Sequence, residues 1–211
     1  MQPKELREQI RKGNFRTHTS GVCADYVQAN LVIVPKEYAF DFLLFAMRNP
    51  KPCPIVDVLE AGMVESALAP GSDIRTDIPK YYLYEHGQLV KQLDHLLDVW
   101  RDDLVSFLIC CSFTFESQLL KENIPLRHVE LNRNVAMYRT NIETKPAGPF
   151  SGPMVVSMRP IKKHLVQQAV EITARFPQMH GAPIHIGDPS EIGIADLSKP
   201  DYGEFVGIQA D

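Results

Sequence analysis

No apolar run among the 211 residues approaches the eighteen or so that a membrane-spanning helix needs. The longest candidate, Tyr38 to Met47, is interrupted by Asp41 and ends at Arg48, so it reads as a buried helix, and no membrane partner is expected. Cysteine is scarce. The four residues at 23, 53, 110 and 111 include one adjacent pair and no CxxC spacing. That pattern excludes a disulfide framework and the usual tetrahedral zinc arrangement, and it fits free thiols in a reducing compartment. A basic excess is also missing. With 22 Lys and Arg against 26 Asp and Glu, the net charge of -4 offers no broad surface for neutralising phosphates, so nucleic acid is not an expected partner. The chain opens Met1-Gln2-Pro3-Lys4-Glu5, without the apolar core of a secretory signal, which leads us to expect a cytoplasmic protein acting on small molecules. Internal repeats and low-complexity tracts are lacking too.

What is present is an ordinary globular composition, 45% hydrophobic and 23% charged, which can fill one main domain with a small companion. Pro3 to Lys12 predicts a short amphipathic helix, closed by Gly13. Gln28 to Val34 ends in an apolar run, Leu31 to Val34, which Pro35 closes before an almost wholly apolar helix over Lys36 to Arg48. Pro50, Pro52 and Pro54 lead into a β-rich run, Ile55 to Leu59. Tyr81 to Glu85 and Gln88 to Gln92 flank His86-Gly87 as a hairpin. Leu104 to Cys111 is a continuous apolar run that predicts a buried strand feeding a helix over Phe115 to Asn123. Val135 to Thr140 and Met154 to Met158 predict strands on either side of a loop or hinge at Pro146 to Pro153. A helix is expected from Pro160, with Ile161, Leu165, Ala169, Ile172 and Phe176 on one stripe, and Ile184 to Ile186 suggests a further short strand. The expected fold class is α/β, a layered mixed sheet flanked by helices. Its main domain would comprise 1–122 plus 189–211, with a smaller α+β subdomain over 123–188.

The densest polar signal is Cys110-Cys111-Ser112-Phe113-Thr114-Phe115-Glu116, at the end of a predicted strand and the start of a helix, where free N–H groups favour a carboxylate. Ser112 and Thr114 read as helix caps, ligand contacts or both, while the cysteines are either core residues or thiols activated by the helix terminus. Arg139 lies on the predicted strand Val135 to Thr140 with Asn141 just past its end, and Arg159 stands at a second strand-to-helix turn; arginine suits bidentate carboxylate recognition. His180, His185 and Asp188 lie within one glycine-containing loop, and a histidine near a carboxylate is a serviceable proton-transfer pair. Their H-x4-H-x2-D spacing matches no familiar metal signature. Arg75 either pairs with Asp77 or contacts a substrate.

Five stretches, Arg75 to Tyr81, Cys111 to Glu116, Tyr138 to Asn141, Val155 to Pro160 and His180 to Pro189, occur in an order that resembles the D-glutamate cyclase family, whose members are hydro-lyases by designation. The likeness runs from about Gly21 to Tyr202. It departs from the family where Cys110-Cys111-Ser112 replaces Gly-Cys-Ser, and family members continue past the position of Asp211 with a segment containing Trp, Cys and Gly. The resemblance implies an intramolecular condensation of D-glutamate to 5-oxo-D-proline with loss of water. It further implies that Arg139 and Arg159 hold carboxylates, that Ser112 and nearby N–H groups stabilise developing charge, and that Glu116, or His180 with Asp188, moves protons. Arg75, Cys111, Thr114, Asn141 and His185 complete the expected substrate contacts. The chemistry requires no cofactor; a divalent cation and a homo-oligomer stay open. A non-catalytic carboxylate-binding protein and a thiol-dependent amide hydrolase are the competing readings.

Overall fold

The computed structural model describes residues 1–208. Leu6 and Ile10, four apart, are the buried residues of helix α1 (Pro3–Arg11), whose terminus is fixed by Pro3 and by the reciprocal Gln2 and Glu5 contacts of a capping box. Strand β1 (Ala29–Pro35) turns at Pro35 directly into α2 (Lys36–Arg48), which leads to β2 (Ile55–Leu59). A long excursion follows, carrying the hairpin β3 (Tyr81–Glu85) and β4 (Gln88–Leu93), before β5 (Leu104–Cys110) inserts between β1 and β2.

Every ladder among the described residues is antiparallel. Because β1 and β2 both run against β5, they are parallel to each other, and β1, α2 and β2 form a β-α-β unit split by the inserted strand. The helix and strand mixture is therefore α/β as expected, but the expected mixed hydrogen bonding is corrected: a strand returning from the long excursion fills the gap a parallel neighbour would occupy. Register is in step from Ala29↔Cys110 to Pro35↔Leu104, whereas β2 carries a bulge between Ile55 and Asp57. β5 is largely buried along its length, and this is why it reads as a continuous apolar run rather than an alternating one.

Beside this sheet, Phe42, Val105, Phe107 and Ile109 form one core cluster, with Phe42 edge-on to Phe107 and to Phe150. Burying each such side chain contributes roughly 1.5–3 kcal/mol. Phe150 belongs to the stretch expected to be a loop or hinge. It is a loop, joining β6 (Met137–Glu143) and β7 (Pro153–Ser157) as a hairpin, and Asn49 pins it by exchanging two 2.8 Å hydrogen bonds with the Lys145 backbone.

A second cluster joins α3 (Phe113–Lys121) to α5 (Val166–Ala174) through Phe115, Leu119, Ile124, Leu126, Ala169 and Ile172. α3 starts two residues earlier than expected. α5 starts later, because Lys162 is extended (φ -57°, ψ 137°) and a single 3-10 turn, Lys163–Leu165, intervenes. Between them lies a four-residue helix, α4 (Arg127–Glu130). The strand expected at Ile184 to Ile186 does not form; that stretch is irregular. On the far side of β6, Tyr202 bridges Met137, and Gly203 at φ +73° lies so close to Val135 that an added Cβ would come within 1.9 Å of its carbonyl oxygen. The β3–β4 turn uses positive φ at both His86 and Gly87, the geometry of a type I′ hairpin.

Candidate active site

Where β5 ends, Cys111, Ser112 and Phe113 enter the wall of an open groove of about 1450 Å³, together with His180, Asn134 and Ser157. Glu116 stands one turn into α3, in the helix's first turn, where the macrodipole favours a negative charge, yet it is only 2% exposed. A buried carboxylate must find donors, and three segments supply them. Arg159 Nη2, just beyond β7, donates to Oε1 at 2.7 Å; His128 Nε2, on α4, lies 2.8 Å from the same oxygen; Ser20 Oγ donates to Oε2 at 2.9 Å. Burial alone would raise the Glu116 pKa, but the His128 hydrogen bond and the Arg159 charge outweigh it and hold the carboxyl below its ordinary range.

Arg159 Nη2 also donates to Ser112 Oγ at 2.9 Å, so one guanidinium links the buried carboxylate to a hydroxyl on the groove wall. Its plane lies over Phe115, 5.4 Å from the ring centroid, and its Nε is buried without a hydrogen-bond partner among the described residues. Packing against an aromatic face and a double anchorage fix the side chain, which is 11% exposed.

Ser112, Glu116 and Arg159, from two of the stretches singled out in the sequence, thus meet in one cluster. Cys111 adjoins it, and burial pushes its thiol pKa up more than the Phe113 N–H and Arg159 lower it; Cys110 is raised by burial too. Neither thiol has the depressed pKa of an activated nucleophile, and no histidine ring hydrogen-bonds to either sulfur among the described residues. Thr114 caps nothing. Its hydroxyl accepts from the Gln28 N–H and contacts the Gln28 carbonyl, fastening the entry of β1 to the first turn of α3. Ser112 also lacks a capping bond, being committed to Arg159.

The other expected members lie elsewhere or are otherwise engaged. His180 adopts a left-handed conformation (φ 76°), with Nδ1 2.8 Å from the Lys51 carbonyl and Nε2 2.9 Å from that of Cys110. Burial lowers its pKa more than the two carbonyls raise it, and because a carbonyl only accepts, a neutral ring can donate to just one of the two as it links the 177–188 loop to β5. The expected His180–Asp188 pair is corrected: Asp188 accepts from the Ser190 N–H and caps the short turn Pro189–Ile192, and that bond lowers its pKa. His185 Nε2 contacts the Asp188 carbonyl at 2.7 Å. Arg75 forms a two-pronged pair with Asp73 instead of Asp77, whose carboxylate is taken by Arg11. Arg139 is 61% exposed, bonded to the Tyr202 hydroxyl at 2.8 Å and 3.8 Å from Asp201, and its neighbour on the strand, Asn141, abuts Gly193. Among the described residues no three His, Cys, Asp or Glu side chains come together as a metal-ligand set.

Sequence reasoning missed His128 and Ser20. The signal for His128 was faint: a lone histidine close to the apolar Leu126 and Val129, a polar ring destined for burial and therefore in need of a partner.

A buried Glu–Arg–His–Ser cluster opens through a serine onto a groove on this α/β frame, and the relatives that share the chain's sequence are carbon–oxygen lyases by name. A model of the D-glutamate cyclase family matches residues 105–211, half of the chain. Three bacterial proteins bearing the name "Putative hydro-lyase" are similar throughout. That of Thermoanaerobacter sp. (strain X514) is 57% identical over 211 residues, all of this chain and 80% of its own length. Those of Psychrobacter arcticus and Stutzerimonas stutzeri are 58% and 55% identical, each over 97% of this chain and 78% and 77% of their own lengths. The chain belongs to the D-glutamate cyclase family.

Proposed function

We propose that the chain converts D-glutamate to 5-oxo-D-proline and water, with the substrate's side-chain carboxylate held at Ser112 and Arg159. The observation that carries this reading is the double engagement of Arg159 Nη2, which polarises the Ser112 hydroxyl on the groove wall while Glu116 holds the guanidinium from behind. A guanidinium so anchored loses little entropy on meeting an anion.

The reaction is balanced within the substrate. The amine nitrogen bonds to the side-chain carboxyl carbon, a C–O bond breaks, and two protons from the original ammonium leave with the expelled oxygen as water. In this scheme Ser112 relays them, receiving a proton from nitrogen and giving one to the departing oxygen, while Arg159, which donates to the Ser112 hydroxyl, offsets the negative charge that builds on the carboxyl oxygens. Ring closure gains from a substrate held in its folded conformation. Glu116, with both oxygens engaged and its pKa lowered, orients Arg159 and does not carry protons in this scheme.

The test is incubation of the protein with D-glutamate, L-glutamate and 5-oxo-D-proline, followed by chiral chromatography with mass detection. Formation of 5-oxo-D-proline from the D isomer supports the reading. Saturable D-glutamate binding without turnover would instead assign a carboxylate-binding protein.

A further inference from the structure

Resting on that reading, we propose that His128 is a positioning residue for the reaction, acting through Glu116 to set where Arg159 presents its charge. The ring is 1% exposed and lies parallel to Phe113, with centroids 6.4 Å apart and planes 21° off. Phe113 lines the groove and stands between it and the histidine. The four-residue helix that carries His128 is tied on both sides, by Glu130 N–H to Leu126 and by Arg133 N–H to the His128 carbonyl.

The tautomer follows from the partners. A carboxylate oxygen only accepts, so the 2.8 Å contact with Glu116 requires the hydrogen on Nε2. Nδ1 is buried and has no hydrogen-bond partner among the described residues, so the ring is held through Nε2 alone.

Its effect is geometric. Glu116 Oε1 is shared by His128 and Arg159, while Oε2 is held by Ser20. Three donors from three segments leave the carboxylate one orientation. Removing the imidazole leaves Oε1 to Arg159 alone, and the carboxylate can then swing with the guanidinium instead of anchoring it. Arg159 Nη2 would cease to span Glu116 and Ser112, and the substrate carboxylate would meet a mobile cation. Misplacement on this scale costs on the order of 100-fold in turnover efficiency.

The experiment compares His128→Leu, which fills the space but donates nothing, with His128→Gln, whose amide nitrogen reaches the position of Nε2. Steady-state kinetics on D-glutamate are expected to show kcat/KM about 100-fold lower in H128L and mostly restored in H128Q. Alongside, phenylglyoxal labelling of Arg159 in the full chain, located by peptide mass spectrometry, is expected to be faster in H128L than in the wild type and H128Q. If H128L does not fold, His128→Asn, whose amide falls short at the Nδ1 position, takes its place. Equal impairment of H128L and H128Q, or no impairment of either, overturns the proposal. A wild-type protein inactive on D-glutamate sinks the functional reading, and the labelling then decides alone: equal rates in all three proteins overturn the positioning role, and a faster rate confined to H128L upholds it.

Discussion

Arg159 reaches Glu116 at 2.7 Å and Ser112 at 2.9 Å through the same nitrogen, Nη2, so the charge that neutralises a buried carboxylate also touches the groove. An ion pair taken out of water gains little by itself, because desolvation cancels most of the attraction. Its value lies in geometry. With Glu116 fixed by His128 and Ser20, the guanidinium has a defined place, which a substrate carboxylate can use.

Glu116→Gln removes the negative charge and leaves Arg159 buried and unpaired. We expect about 3 kcal/mol of lost stability, read from the midpoint of urea unfolding. A change below about 0.5 kcal/mol would show that solvent reaches the pair freely.

Arg159→Lys keeps the charge but loses the planar head that packs over Phe115 and holds Nη2 between Glu116 and Ser112. KM for D-glutamate should rise about tenfold or more while the fold persists, as judged by an unchanged circular dichroism spectrum. An unchanged KM would remove Arg159 from substrate binding.

Glu116 and His180 make stability depend on pH in the same direction. Glu116 is depressed below its ordinary 4.5, so its contribution is fully present above 4.5 and is lost as pH falls through the lower folded value. His180 is depressed below 6.5; the unfolded chain takes up its proton first, so stability is fully present above 6.5 and declines as pH falls below it. Urea unfolding measured at intervals from pH 7.5 downward should show a slope beginning near 6.5 that His180→Asn abolishes. A slope that survives the substitution would place its origin elsewhere.

The raised thiol pKa of Cys111 predicts sluggish alkylation. Iodoacetamide at neutral pH should modify it more slowly than glutathione, followed by peptide mass spectrometry. Faster modification would revive the thiol-dependent amide hydrolase.

Most of the elements were legible from residue periodicity. The apolar run at Leu104 to Cys110 could be read as a buried strand because its side chains are covered on both faces, and Lys36 to Arg48 as a helix because Pro35 opens it. Direction was not legible, since an apolar strand reads the same beside parallel or antiparallel partners, and the insertion of β5 between β1 and β2 depends on contacts far apart in sequence. The site divided along the same line. Ser112 and Glu116 announced themselves through a strand-to-helix turn, and Arg159 through a second one. Asp188 and Arg75 each find a local partner, Ser190 and Asp73, two residues away, rather than His180 and Asp77. His128 and Ser20 reach Glu116 across 12 and 96 residues of chain, and no short motif encodes such a meeting.

The most direct measurement follows the oxygen. D-glutamate labelled with oxygen-18 at both side-chain carboxyl positions is incubated with the wild-type protein, and product and water are examined by mass spectrometry. The account predicts 5-oxo-D-proline that retains one labelled oxygen in its ring carbonyl, labelled water, and loss of both signals in Arg159→Leu. Absence of the product, or equal conversion by the Arg159→Leu protein, would contradict it.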